Sequence, residues 1–102
     1  MCTYEFKEPY NNYILASHGW DLPSKENEIK LVVFVYSKSD FENDDIYKRY
    51  HCNPIFQTSC FIFNPSEVNN IDNKKELCKK ELFELTKSKI DKNDLTDEEH
   101  KC

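Results

Sequence analysis

The residues with reactive chemistry fall in two short stretches. His18 lies in Ala16-Ser17-His18-Gly19-Trp20, where the only alanine, the only glycine and the only tryptophan of the chain occur together. An imidazole titrates near neutrality, so at the rim of a sheet it can act as a general base or hold a neighbouring hydroxyl or thiol in its nucleophilic form. The groups it would need are Ser37, Ser39 and Asp40, in Ser37-Lys38-Ser39-Asp40, and Cys52. If the two strands carrying these stretches run parallel, a Ser/His/Asp set gathers at one edge. If they form a hairpin through Asp21–Glu28, the two stretches sit at opposite edges and no set forms. Gly19 is expected to supply a positive φ or a close backbone approach. Trp20 is expected to cap the core beside it.

The five cysteines are Cys2, Cys52, Cys60, Cys78 and Cys102. An odd number without a visible secretory leader argues for reduced thiols rather than a disulfide framework. Cys60 and Cys78 read as small buried hydrophobes, one in a strand and one on an apolar helix face. His51-Cys52 with His100 and Cys102 contains zinc-type ligands, but no C-x-x-C pair is present and one half of the set lies near the C-terminus. Structural zinc sites use tight paired spacings, so no metal and no cofactor is expected.

Three apolar runs supply the strands that would hold these groups: residues 13–17, 29–36 and 55–63. A short strand at 3–6 precedes them. The run from Ile29 to Tyr36 is continuous in β-branched and aromatic residues, the pattern of a strand covered on both faces. Ser39-Asp40-Phe41-Glu42 has the capping-box form and predicts a helix to about Tyr50, stopped by Asn53-Pro54. Strand, helix, strand in this span predicts a βαβ unit. A second helix is predicted from near Ser66, interrupted at Asn69-Asn70 and strongest over 74–90, with Cys78, Leu82, Leu85 and Lys89 on its buried face. The expected fold is α/β: a small three- to four-stranded, mostly parallel sheet with a βαβ unit and a C-terminal amphipathic helix. One domain is expected over 1–90, followed by a charged, fraying tail over 91–102.

Composition bounds the role. The chain has 102 residues and a net charge of −5, with 38% hydrophobic, 14% aromatic and 32% charged residues. That is enough aromatic content for one core and too little length for two. The negative charge argues against phosphate-backbone binding, and Lys74-Lys75 and Lys79-Lys80 are interleaved with glutamates, so no nucleic acid is expected. No eighteen-residue apolar run occurs, so no membrane span is expected, and without a secretory leader a cytoplasmic protein, or one delivered into a host cytosol, is expected. Ten asparagines against one alanine and one glycine suggest an AT-rich genome of a pathogen, parasite or virus.

Asn12 through Trp20, a short polar loop and a strand ending Val33-Phe34-Val35-Tyr36 together resemble the opening of Stv-type adhesin domains. Those domains carry a strand ending in a Ser/Ala-His-Gly turn before a second strand of Val-x-Phe-Tyr character. The resemblance covers about residues 12–40; Asn27-Glu28 stands where the family carries a Pro-Glu-Gly turn, and no glycine follows the second strand. The same strand-Ser-His-Gly feature is similar to the histidine strand of caspase-like proteases. Such enzymes carry a cysteine at the end of the following strand, where this chain has Ser37, so the likeness transfers no catalytic mechanism.

Two functions follow as expectations. The first is a small acidic, non-catalytic protein-interaction module, an effector or accessory protein, with an unknown protein partner bound through Gly19, Trp20, Tyr47 and Tyr50; Tyr4 and Tyr10 are further candidate anchors. The alternative is a hydrolase using His18 as general base with a hydroxyl or thiol nucleophile. The edges of so small a sheet make a homodimer a further expectation.

Overall fold

The computed structural model describes residues 4–21, 28–42 and 53–102. Within them a mixed sheet is backed on one face by a long helix. The elements are β1 (Phe6–Tyr10), β2 (Tyr13–Ser17), β3 (Trp20–Asp21), β4 (Glu28–Ser37), α1 (Lys38–Phe41), β5 (Phe56–Phe63), a 3-10 turn (Pro65–Glu67), α2 (Ile71–Asp91) and β6 (Glu98–Lys101). The spatial order is β1-β2-β4-β5-β6, with β3 continuing the line of β2 against β4.

Four of the five pairings are antiparallel, and β5 with β6 alone is parallel. The expected mostly parallel sheet is therefore corrected, and so is the βαβ unit. Val35 lies opposite Phe56, so the chain leaves β4 and enters β5 at the same end of the sheet, whereas a crossover would carry it to the other end. The apolar run over β4 misled because a strand covered on both faces reads the same in either orientation. Its odd residues Ile29, Leu31, Val33 and Val35 are buried under α2, while Phe34 and Tyr36 point the other way.

The core lies between sheet and helix. Leu15, Leu31, Val33, Val35, Phe56 and Ile62 meet Leu82, Phe83 and Ile90 of α2. Asn70 caps α2 by accepting from the Asn73 amide at 3.2 Å, and a 3-10 turn precedes it, so the interruption expected near Asn69-Asn70 is where the helix begins. Thr58 and Thr86, both fully buried, join hydroxyls at 2.7 Å across the two layers. At the far end Lys89 Nζ reaches Asp94 at 3.2 Å and Thr96 at 3.4 Å.

Of the helix expected over 39–50, α1 forms its first turn, starting after Ser37 without a side-chain cap; the rest, with Tyr47, Tyr50, His51 and Cys52, lies outside the described residues. The segment expected to fray contributes β6. Its four residues are all exposed, yet they are anchored by Leu95 and Cys102 against the core and by Asp97, which accepts from the Gln57 amide at 2.9 Å. Both sheet edges are blunted. Pro9 sits in β1, where it withholds a ladder donor, and β6 is short and charged.

Candidate functional site

The site begins with a register change. Ala16 pairs with Phe34 and Trp20 with Leu31, so three residues, Ser17, His18 and Gly19, stand against two, Val32 and Val33. This is a β-bulge. Gly19 takes φ +94°, a conformation L side chains avoid, and its amide donates to the buried Ser17 Oγ at 3.2 Å. A Cβ built at Gly19 would run into the Glu5 carboxylate.

The bulge reverses the alternation. Without it Trp20 would project with Ala16 and His18. With it, Trp20 aligns with Leu31 and packs against the helix-side core, its buried indole Nε1 finding no hydrogen-bond partner among the described residues. The glycine thus supplies the expected positive φ and with it re-aims the chain within the sheet.

His18 stays exposed on the face opposite α2. Its ring stacks on Tyr4, with centroids 4.6 Å apart at 28°, and meets Phe34 edge-on at 6.3 Å. Tyr4 also joins its hydroxyl to that of Tyr36 at 2.7 Å and packs near Phe41 at 5.8 Å. Tyr36 and Phe41 close the group at 5.2 Å. Four rings from the N-terminal segment, β4 and α1 therefore form one cluster with the imidazole of the bulge.

The structure does not bring Ser37, Ser39 or Asp40 to His18. β2 and β4 are antiparallel with Tyr13 opposite Ser37, so His18 lies five residues along the sheet from Ser37, about 16 Å at about 3.3 Å per residue. Ser37 Oγ and Ser39 Oγ bond each other at 3.0 Å, and Asp40 is exposed on α1. Cys52, Tyr47 and Tyr50 fall outside the described residues, as does the His51-Cys52 half of the zinc reading. His100 is exposed on β6, whereas Cys102 turns inward. No three His, Cys, Asp or Glu side chains among the described residues are arranged to hold a metal ion.

The aromatic face extends past the bulge. Phe61 and Phe63 contact each other at 5.2 Å on the β5 side, Phe63 is 41% exposed, and register aligns Phe61 with Lys30 and Lys101. Lysines sit over its rings: Lys7 Nζ lies 5.6 Å from the Phe41 centroid and Lys101 Nζ 4.8 Å from that of Phe63. Phe34, Phe41, Phe61 and Phe63 were absent from the expected binding set. The signal was there in β4, where both aromatics, Phe34 and Tyr36, occupy even positions and every odd position from Ile29 to Val35 is aliphatic.

A groove of about 470 Å³ also runs between β1 and α2, lined by Phe6, Phe83, Lys79, Lys80 and Lys87 among others. Two of its lysines already have partners. Lys87 pairs with Glu8 at 2.6 Å, and Lys79 lies 3.9 Å over the Phe6 ring and 3.5 Å from Glu76.

Fold and site together define a two-layer α/β protein, a mixed sheet with one covering helix and an aromatic outer face. Compared with protein families, curated proteins and solved structures, the chain matches none. No helix among the described residues is long and apolar enough to cross a membrane.

Proposed function

We propose that the protein is a non-catalytic interaction module that binds a protein partner through the sheet face opposite α2. One observation carries the reading: Phe34, Phe61 and Phe63 on β4 and β5, with His18 in the bulge and Tyr4 stacked on it, present aromatic surface away from the helix-covered core. Aromatic side chains fixed on a scaffold dominate binding energy at protein interfaces, because they bury large area at small entropic cost. Lysines over Phe41 and Phe63 border the face, which suits a partner displaying apolar side chains beside carboxylates.

The test places a photo-crosslinking residue at Phe63 on the aromatic face and, separately, at Leu77, which is 52% exposed on α2, and examines both in native cells. A single species crosslinked from position 63, absent from position 77 and lost on Phe34→Ala, is the expected result. Equal capture from both positions, or capture untouched by Phe34→Ala, overturns the reading.

A further inference from the structure

Three cysteines separated by 18 and 24 residues in sequence converge at the end of the core. Cys60 projects from β5 and Cys78 from α2, both buried, and Cys102 follows β6. Cys60 and Cys78 belong to one core cluster and Cys102 packs against it; the Cys102 amide donates to the Phe61 carbonyl at 3.1 Å, holding it in place. All three are unbridged. Cys102 is the one with partial exposure. We propose that Cys102 and Cys78 form a reversible disulfide that ties the edge strand β6 to α2.

Geometry selects the pair. Cys60 lies on β5 opposite His100, two residues before Cys102, and the Cys60 thiol is directed to the Cys78 carbonyl at 3.9 Å. A disulfide requires Cβ vectors that converge. Cys78 belongs to α2, the layer across the core from the edge strand that Cys102 follows, so the two approach the cluster from opposing layers. β6 is also the element with most to gain, since its own side chains are exposed and Cys102 is the apolar anchor that follows them.

The oxidant is a low-molecular-weight disulfide. The partly exposed Cys102, as thiolate, attacks one sulfur of the oxidant. A protein–small-molecule disulfide forms, and the first small thiolate leaves and takes up a proton. Cys78 then loses its proton and attacks the Cys102 sulfur of that mixed disulfide, expelling the second small thiolate. Two protein thiols are oxidised to one disulfide, and one small disulfide is reduced to two thiols. Cys102 reacts first because it is the partly exposed member of the three; burial holds all three thiols protonated, so the exchange is slow near neutrality.

The experiment incubates the purified full chain with oxidised glutathione, alkylates it and digests it without reduction using a Glu-specific protease. The expected product links the Cys78 and Cys102 peptides, with two thiols lost to alkylation, both in the native chain and in a Cys2→Ser/Cys52→Ser variant. Amide exchange over Glu98–Lys101 is expected to slow at least tenfold on oxidation and to be unchanged by oxidant in Cys102→Ser. A terminal glutathione adduct at Cys102 with Cys78 still alkylatable, a Cys60–Cys102 link, or unaltered exchange in the linked protein overturns the proposal.

Discussion

Tyr4 and His18 lie nearly face to face, ring centroids 4.6 Å apart, with the tyrosine hydroxyl 2.7 Å from that of Tyr36. The stack joins the segment before β1 to the bulge and makes the imidazole part of an aromatic surface. An aromatic pair of this kind contributes about 0.5–1.5 kcal/mol. His18→Ala is therefore expected to lower stability by about 1 kcal/mol in a denaturant titration and to abolish the crosslink from position 63. His18→Phe preserves the stack and should keep both. Loss of capture in His18→Phe as well would show that the imidazole nitrogens, and not the ring surface, carry recognition.

Gly19 has a different role, because its value lies in the backbone. At φ +94° an alanine is strained whatever space surrounds it. The nearest obstacle, the Glu5 carboxylate, is the end of an exposed, flexible side chain and can swing aside, so the conformational strain dominates. Gly19→Ala is expected to cost about 1–2 kcal/mol, a fall in Tm of about 4–8 °C per kcal/mol for a chain this size. Glu5→Ala in the same background should recover little of it. Full recovery would mean that the clash, and not φ, sets the cost.

The positions of β2, β4, β5 and α2 were legible in the sequence because each is a periodic apolar segment bounded by Pro, Asn or polar residues. Strand direction was not. Nothing in Ile29–Tyr36 records whether a neighbour runs with it or against it; that information resides in the connections, and the one between β2 and β4 was too short for a helix and long enough for a loop. The need for a positive φ at Gly19 was readable from its place after Ser17-His18. That the chain would continue in the sheet after a one-residue slip was not, since the slip exists only in the pairing with Val32 and Val33. β6 escaped notice because Glu98-Glu99-His100-Lys101 has no apolar pattern of its own and is held by its flanks, Leu95 and Cys102.

The buried threonine pair offers an asymmetric test. Thr86 Oγ1 donates to the Leu82 carbonyl at 2.7 Å, which uses its single proton, so the 2.7 Å contact with Thr58 must be a bond donated by Thr58. Thr86→Val removes the acceptor and leaves the Thr58 hydroxyl buried and unsatisfied, at a cost of about 1–3 kcal/mol. Thr58→Val leaves Thr86 bonded to Leu82 and should cost less. The double substitution replaces both hydroxyls with methyls and is expected to be more stable than Thr86→Val alone, which thermal melts of the three variants would read directly. Equal losses for the two single variants would reverse the donor assignment.

The thiol cluster makes stability depend on alkaline pH. Burial raises Cys60 to about 11, Cys78 to about 12 and Cys102 to about 11, with the neighbouring thiols adding smaller effects. The charged groups facing the cluster are Glu81, which raises all three, and Lys74, which lowers Cys78. In the unfolded chain these thiols ionise at about 8.5. Below that pH both states hold their protons and the cluster contributes in full. As pH rises from about 9, the unfolded state releases protons that the folded state retains, so the folded state loses ground until the folded values near 11–12 are passed. Urea midpoints of the reduced protein should therefore fall steadily between about pH 9 and pH 11. A Cys60→Ala/Cys102→Ser variant should show a shallower fall over the same window, because two of the three groups no longer titrate. If the slope is unchanged in that variant, the alkaline loss arises elsewhere and the cluster is not protonated in the way its burial requires.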